Sequence, residues 1–197
     1  MKEKFMLNKC TKDVFFEKVS LSNLDKVIDI QCKIFPEEDG SLNLKASVDK
    51  DVFRKIYKNR PRKDLIFWLV KVNDFIVGIT GIYSYTKYPD DAWLGWFGVI
   101  EEERRKGYAS YILDWTMQQA QERGYKNLRL YTSIITDIEA VEFYKSKNMI
   151  MEEYTSEPQI SDEIVIFSSS LTQNKVELWD NKHLELYEQY SLQENRN

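Results

Sequence analysis

Histidine is almost missing from this sequence: His183, in a polar stretch toward the C-terminal end, is the only one. One imidazole cannot build a His-rich zinc site or a helical His-Glu-x-x-His pair, so no metal is expected, and Ser-His-Asp catalysis is disfavoured too. Cysteine is nearly as scarce. Cys10 and Cys32 lack Cys-x-x-Cys spacing, and two thiols do not suggest a disulfide scaffold, which leaves a reducing, cytoplasmic setting as the simpler reading. No run of about eighteen apolar residues occurs, and residues 1–8 contain no apolar core of signal-peptide length, so neither a membrane span nor an export signal is expected. An excess of positive charge is absent: 28 Lys and Arg stand against 32 Asp and Glu, a formal net charge of −4, which disfavours nucleic acid as a partner. The Gly-x-x-x-x-Gly-Lys-Ser/Thr and Gly-x-Gly-x-x-Gly patterns are missing as well, so nucleotide hydrolysis and hydride transfer lose ground. There is no internal repeat and no low-complexity tract.

Apolar material, by contrast, is plentiful. Hydrophobic residues at 43% and aromatics at 14% are too much for a disordered chain, and 197 residues suit one domain with an extension better than two domains. Phe15, Phe16 and Val19 suggest a first strand. Ser22 can then cap a helix carrying Leu24, Val27, Ile28, Gln31, Cys32 and Phe35 as far as Pro36. An acidic loop at 36–40 and a second helix around Val52, Phe53, Ile56 and Tyr57, stopping near Pro61, come next. Residues 65–72 and 75–83 read as a hairpin across Asn73-Asp74, and residues 92–99 as a further strand. The spacing of Ala109, Ile112, Leu113, Thr116, Met117 and Ala120 predicts the longest helix, ending at Gly124. A strand at 128–132 precedes Thr136 and Glu139, which have capping-box spacing ahead of a helix through Ala140, Val141 and Tyr144, with Asn148 as a left-handed stop. Strands at 149–154 and 164–171 complete a mixed α/β pattern. Beyond Thr172 the chain turns polar, although Leu178, Trp179, Leu184, Tyr187 and Tyr190 could dock it as a short appendage.

Two features stand out against this frame. Only seven glycines occur, and Gly78, Gly81, Gly95, Gly98 and Gly107 crowd into one stretch; within strands a glycine often marks a bulge or a close approach by a ligand or another backbone. The second feature is Glu101-Glu102-Glu103-Arg104-Arg105-Lys106-Gly107, which puts three cations where the long helix begins. The partial charge of a helix start is already positive, so each exposed cation there is unfavourable by about 0.3–1 kcal/mol. A bound anion reverses that sign, because first-turn N–H groups and basic side chains converge on it while Gly107 lets the backbone approach. Local pairing of these cations with the preceding glutamates on a solvated face is the other reading.

Here the sequence resembles the GNAT superfamily of acetyl-CoA-dependent N-acetyltransferases, whose signature is an apolar strand followed by Arg/Gln-x-x-Gly-x-Gly/Ala at the start of a helix. The corresponding residues are Trp96 to Ile100, then Arg104-Arg-Lys-Gly107-Tyr-Ala109. A second block, Ala140-Val-Glu-Phe-Tyr144-Lys-Ser-Lys-Asn-Met149, is similar to the family's Ala-x-x-x-Tyr-x-x-x-Gly-Phe helix and strand. The resemblance, which covers residues from about 14 to 171, implies an α/β (α+β) single domain at 1–171. Its central sheet would be mixed, mostly antiparallel and splayed between two parallel strands, with helices on both faces, and residues 172–197 would be the extension. It also implies that the backbone of Phe97, Gly98 and Val99 receives the pantetheine arm of acetyl-CoA. Arg104, Arg105, Lys106, Gly107, Tyr108, Ala109 and Ser110 would hold the pyrophosphate, Tyr144 would protonate the departing thiolate, and Asp137 would stand where an asparagine often contacts the cofactor. A strand amide can polarise the thioester carbonyl, and Gly95 and Gly98 would ease the approach.

The implied activity is acetyl transfer from acetyl-CoA to a primary amine by direct attack in a ternary complex, with a small-molecule acceptor favoured over a protein. An amine with a lysine-like pKa near 10 must first lose a proton, and no residue is an obvious base. Asp90, Asp91 and the acidic residues 37–39 read as solvated turn carboxylates, and Trp93 occupies a position where some relatives carry a glutamate, which leaves a water chain to serve. Trp93, Trp96 and Tyr85 could wall a cationic acceptor, with core packing as their ordinary use. A non-catalytic acyl-CoA sensor and a protein-interaction module are the competing classes. A homodimer is compatible with the sequence.

Overall fold

A computed structural model describes residues 3–5, 14–58, 62–155, 163–172 and 174–182. The chain forms two compact units, Met1–Lys126 and Asn127–Asn197, each with its own antiparallel ladders. His183, Cys10 and the expected docking residues Leu184, Tyr187 and Tyr190 lie outside the described residues.

In the first unit, β1 (Glu3–Phe5), β2 (Val14–Lys18), β3 (Arg62–Val72), β4 (Phe75–Tyr85) and β5 (Asp91–Leu94) follow one another across the sheet, and β6 (Gly98–Val99) also pairs with β4. The β3–β4 hairpin turns where the sequence places it. Asn73 and Asp74 take φ of 49° and 66°, the left-handed pair that a tight hairpin requires and that their short polar side chains tolerate. Alternation then sorts β3 onto two faces. Leu65, Phe67 and Leu69, with Ile79 of β4, pack against Leu24 and Val27 of α1 (Leu24–Ile34), Leu44 and Ala46 of α2 (Ser41–Ala46), and Tyr57 just past α3 (Lys50–Ile56). The opposite face takes α4 (Tyr108–Glu122), whose Trp115 stacks on Phe16 at 3.6 Å between ring centroids and meets Trp68 edge-on at 5.2 Å. Thr116 donates to the Ile112 carbonyl at 2.7 Å and is 2.8 Å from Thr80, so Thr80 is the donor in that fully buried contact. This buried pair fixes the rotation of α4 on β4.

Two expectations are corrected in this unit. Asn23, not Ser22, precedes α1, and its side chain turns back to accept from Ser20 N–H at 2.8 Å and to donate to Glu17 at 3.0 Å. The second helix expected around Val52, Phe53 and Ile56 is α3, which Asp49 starts by accepting from the N–H groups of Asp51 at 2.9 Å and Val52 at 3.1 Å, while α2 is a further short helix that the sequence reading did not place. The strand expected over 92–99 is interrupted between β5 and β6.

In the second unit, β9 (Ile164–Ser170) lies between β7 (Asn127–Ser133) and β8 (Ile150–Glu153), antiparallel to both, with α5 (Ile138–Ser146) connecting β7 to β8. Asn148 ends the helical segment with φ 56°. The capping box does not form: Asp137 is the N-cap residue, and its carboxylate reaches back to Thr132 Oγ1 at 2.6 Å and Ser133 N at 3.4 Å. Residues 174–182 dock on this unit. Trp179 is fully buried, its N–H donates to Glu152 at 2.8 Å, and Asp180 N–H donates to the other Glu152 oxygen at 3.0 Å. Arg129, also fully buried, donates to Ser168 Oγ at 2.7 Å and to the Glu177 carbonyl at 2.9 Å, with its guanidinium 5.2 Å from the Trp179 ring.

Candidate functional site

The interruption between β5 and β6 is a bulge. Ile82 pairs with Leu94 and Ile79 with Gly98, so β4 advances three residues (82 − 79) where the facing chain advances four (98 − 94). One extra residue re-aims the backbone. Trp96 lies in it with φ 45°, an uncommon conformation for a bulky residue. Its ring lies 5.3 Å from that of Phe35. The glycines here serve packing: a Cβ on Gly98 would stand 2.5 Å from Ile34 Cγ2, and one on Gly78 only 2.3 Å from the Gly98 carbonyl. The room expected to admit a ligand at Gly98 is thus taken by α1. Among the described residues of the first unit, β6 has a ladder only on its β4 side.

Past β6 the chain makes a 3₁₀ turn at Glu101–Glu103 and then the basic turn. The local-pairing reading of the cation run is realised in part. Lys106 does pair with Glu103 at 3.0 Å, and Arg104 turns back to donate from Nε to the Val99 carbonyl at 3.2 Å. Glu102 instead bonds Lys33 of α1 at 2.9 Å, and that hydrogen bond, with a smaller backbone contribution, holds its carboxyl below the usual range. Arg105 takes φ 61° and Gly107 φ 84°. Gly107 is the N-cap of α4 and carries no side chain to cap it; the first turn contains no acidic residue, and a Cβ built on Gly107 would meet nothing within 4 Å. A fifteen-residue helix therefore begins directly behind the basic turn, with its positive end at its first turn and open space over Gly107. The Tyr108 ring is buried and Ala109 and Ser110 are half-buried. These features suit a pyrophosphate.

In the second unit Tyr144 is buried, 5.4 Å from Phe167 between ring centroids. Burial, reinforced by the Asp137 carboxylate, raises its hydroxyl well above the ordinary value of 10, so it remains protonated across the neutral range. Asp137 is exposed, with one carboxylate oxygen engaged by Thr132 and Ser133.

Comparison with known proteins now decides the family, because residues 24–148 match the model of the acetyltransferase (GNAT) family. The chain belongs to that family. A GNAT acetyltransferase is an acyl-CoA-dependent N-acetyltransferase, and the mixed α/β fold agrees. Solved structures with this fold include a GNAT-family protein from Desulfovibrio desulfuricans, 16% identical, with a TM-score of 0.61 over 81% of this chain and 99% of that one. The ribosomal-protein-S18-alanine N-acetyltransferase from Escherichia coli is 13% identical, with a TM-score of 0.54 over 84% and 99%. Spermidine N-acetyltransferase from Vibrio cholerae, in complex with CoA and spermine, is 11% identical, with a TM-score of 0.56 over 80% and 95%. No curated protein matches.

Elsewhere in this GNAT acetyltransferase the expected acceptor-side residues fall into different environments. Trp93 is fully buried between Tyr83 and Tyr85, as core. Asp91 is buried too, not the solvated turn carboxylate expected of it. Asp90 pairs with Lys126 at 2.9 Å, and Glu37, Glu38 and Asp39 are exposed on the loop after α1. The residue that sequence reasoning passed over is Gln31, fully buried in the apolar stripe of α1. A polar side chain within such a stripe was the signal. None of the described helices is long and apolar enough to cross a membrane.

Proposed function

We propose that this acetyltransferase moves the acetyl group of acetyl-CoA to a primary amine by direct attack in a ternary complex, with a small basic amine as acceptor. The observation that carries the proposal is the uncapped, acid-free start of α4 behind Gly107. There the N–H groups of residues 105–110 and the side chains of Arg104, Arg105 and Lys106 would hold the pyrophosphate. The backbone of residues 97–99 would pair with the pantetheine amides as an added strand does, on the side of β6 away from β4, and an amide of that strand would polarise the thioester carbonyl. Acetyl-CoA brings the activated acyl group.

Tyr144, fully protonated, would donate its proton to the sulfur as the C–S bond breaks and the C–N bond forms. The ammonium of the acceptor gives up one proton to water before attack, and a second proton leaves the nitrogen afterwards to restore the tyrosine. The balance is one amide, one thiol and one proton released. Support for a small basic acceptor comes from the exposed carboxylates of Glu37, Glu38 and Asp39, which attract a cation to the loop beside the bulge. Thiol release from acetyl-CoA in the presence of an amine panel tests the proposal: turnover with a basic amine is expected, and no turnover with any acceptor would overturn it.

A further inference from the structure

Gln31 carries a carboxamide into the core of the first unit, where an unmatched polar group is costly. Both ends are matched by the same loop. Nε2 donates to the Glu38 carbonyl at 2.9 Å, and Oε1 accepts from the buried N–H of Gly40 at 3.1 Å. The side chain thereby folds residues 36–40 back on α1. Gly40 has no room for a side chain: a Cβ would stand 2.7 Å from Gln31 Cδ and 2.7 Å from Trp96 Cε2. The end of the loop is therefore wedged between a buried amide and the indole of the bulge, with Phe35 against the same indole. Trp96 holds a left-handed φ of 45°, a conformation that persists only where the surroundings impose it.

From this joint we infer that Gln31 is a positioning residue for acetyl transfer. Its carboxamide holds Gly40 against Trp96, and Trp96 holds the bulge that aims the backbone of residues 97–99 at the thioester. The inference rests on the reading of residues 97–99 proposed above. In that reading Gln31 touches neither substrate, and the grip at the start of α4 does not depend on it.

Gln31→Leu keeps the volume and removes both hydrogen bonds; Leu44→Ala, elsewhere in the same core, is the control for lost stability. Kinetics and CoA calorimetry are run well below the melting midpoint of each variant. A misplacement of about 1 Å can cost about 100-fold in rate, so Gln31→Leu is expected to lower kcat by about tenfold or more while the Kd for CoA moves less than about threefold. Leu44→Ala is expected to keep kcat within about twofold even if it melts earlier. Gly40→Ala keeps the Gln31 residue, but its Cβ presses on both the carboxamide and the indole; it should show the same kcat loss, partly restored by adding Trp96→Phe. It decides the matter alone if Gln31→Leu does not fold. Should wild type bind CoA and turn over while Gln31→Leu and Gly40→Ala keep kcat within twofold, or lose it only in proportion to melting as Leu44→Ala does, the positioning role is overturned. If wild type neither binds CoA nor acetylates any amine, the underlying reading has failed instead.

Discussion

Two glycines on α4 provide a matched pair. Gly107 before its start and Gly124 after its end have φ of 84° and 85°, and a Cβ on either would meet nothing within 4 Å. Alanine at each position therefore incurs the same left-handed backbone cost, about 1–2 kcal/mol, with no steric clash. In a chain of this size each kcal/mol moves the melting midpoint by about 2–4 °C, so both variants should melt about 2–8 °C lower. Their ligand binding should differ. The sites are separated by the length of the helix, fifteen residues or about 22 Å. If the backbone of the Gly107→Ala variant relaxes out of the left-handed region at that position, at least one first-turn N–H loses its aim at the pyrophosphate. A hydrogen bond to a charged group is worth about 1.5–3 kcal/mol, which is about 10- to 150-fold in Kd for CoA. Gly124→Ala should bind CoA as wild type does. Calorimetric titration of CoA alongside melting curves reads both quantities, and equal affinity in the two variants, whether both weakened or both unchanged, would refute the reasoning.

Tyr144→Phe should lower kcat by about 10²- to 10⁴-fold, the usual range for a lost proton donor, while leaving CoA affinity within about threefold by calorimetry; unchanged kcat would remove Tyr144 from the mechanism. Because the acceptor amine must be deprotonated and the Tyr144 hydroxyl is held above its ordinary value of 10, kcat/KM should climb with pH up to about 10 with no descending limb. A fall between pH 8 and 9 in a stopped assay would contradict this. Tyr125, bonded to Asp64 and Ser84, is pushed up to about 12, mainly by burial and then by Asp64. Above pH 10 unfolded tyrosines ionise and these folded ones do not, so the unfolded state binds fewer protons and stability must fall through that window. A melting midpoint that stays flat from pH 9.5 to 11.5 would count against it. Trp179→Ala empties a fully buried site beside Arg129 and should cost about 3–5 kcal/mol, seen by denaturant titration, with CoA affinity unchanged at 25 °C; a loss below 1 kcal/mol would mean that the extension is not held as described.

Much of the fold could be read from residue order, and the exceptions share a cause. The β3–β4 turn and the stop at Asn148 were legible because Asn and Asp signal left-handed backbone by themselves. The bulge at Trp96 was not: tryptophan suits a strand, alternation continues through it, and the extra residue is imposed by Phe35 and Gly40 from elsewhere in the chain. The capping box failed for a similar reason, since Asp137 finds Thr132 before Thr136 can act. At the basic turn the sequence offered anion binding or local ion pairs, and the structure has Lys106 paired while the helix start has no side-chain cap. Gln31 showed as a polar residue in an apolar stripe, but its partners are backbone groups, which no side-chain pattern reveals.

The central claim is that the start of α4 grips a diphosphate, and the most direct measurement is calorimetric titration of the wild-type chain with CoA and, separately, with pantetheine, which lacks the diphosphate and nucleotide. The account predicts a saturable heat signal with CoA and binding at least about 100-fold weaker with pantetheine, the equivalent of two or so charge-assisted hydrogen bonds. No signal with CoA, or equal affinity for the two, would contradict it.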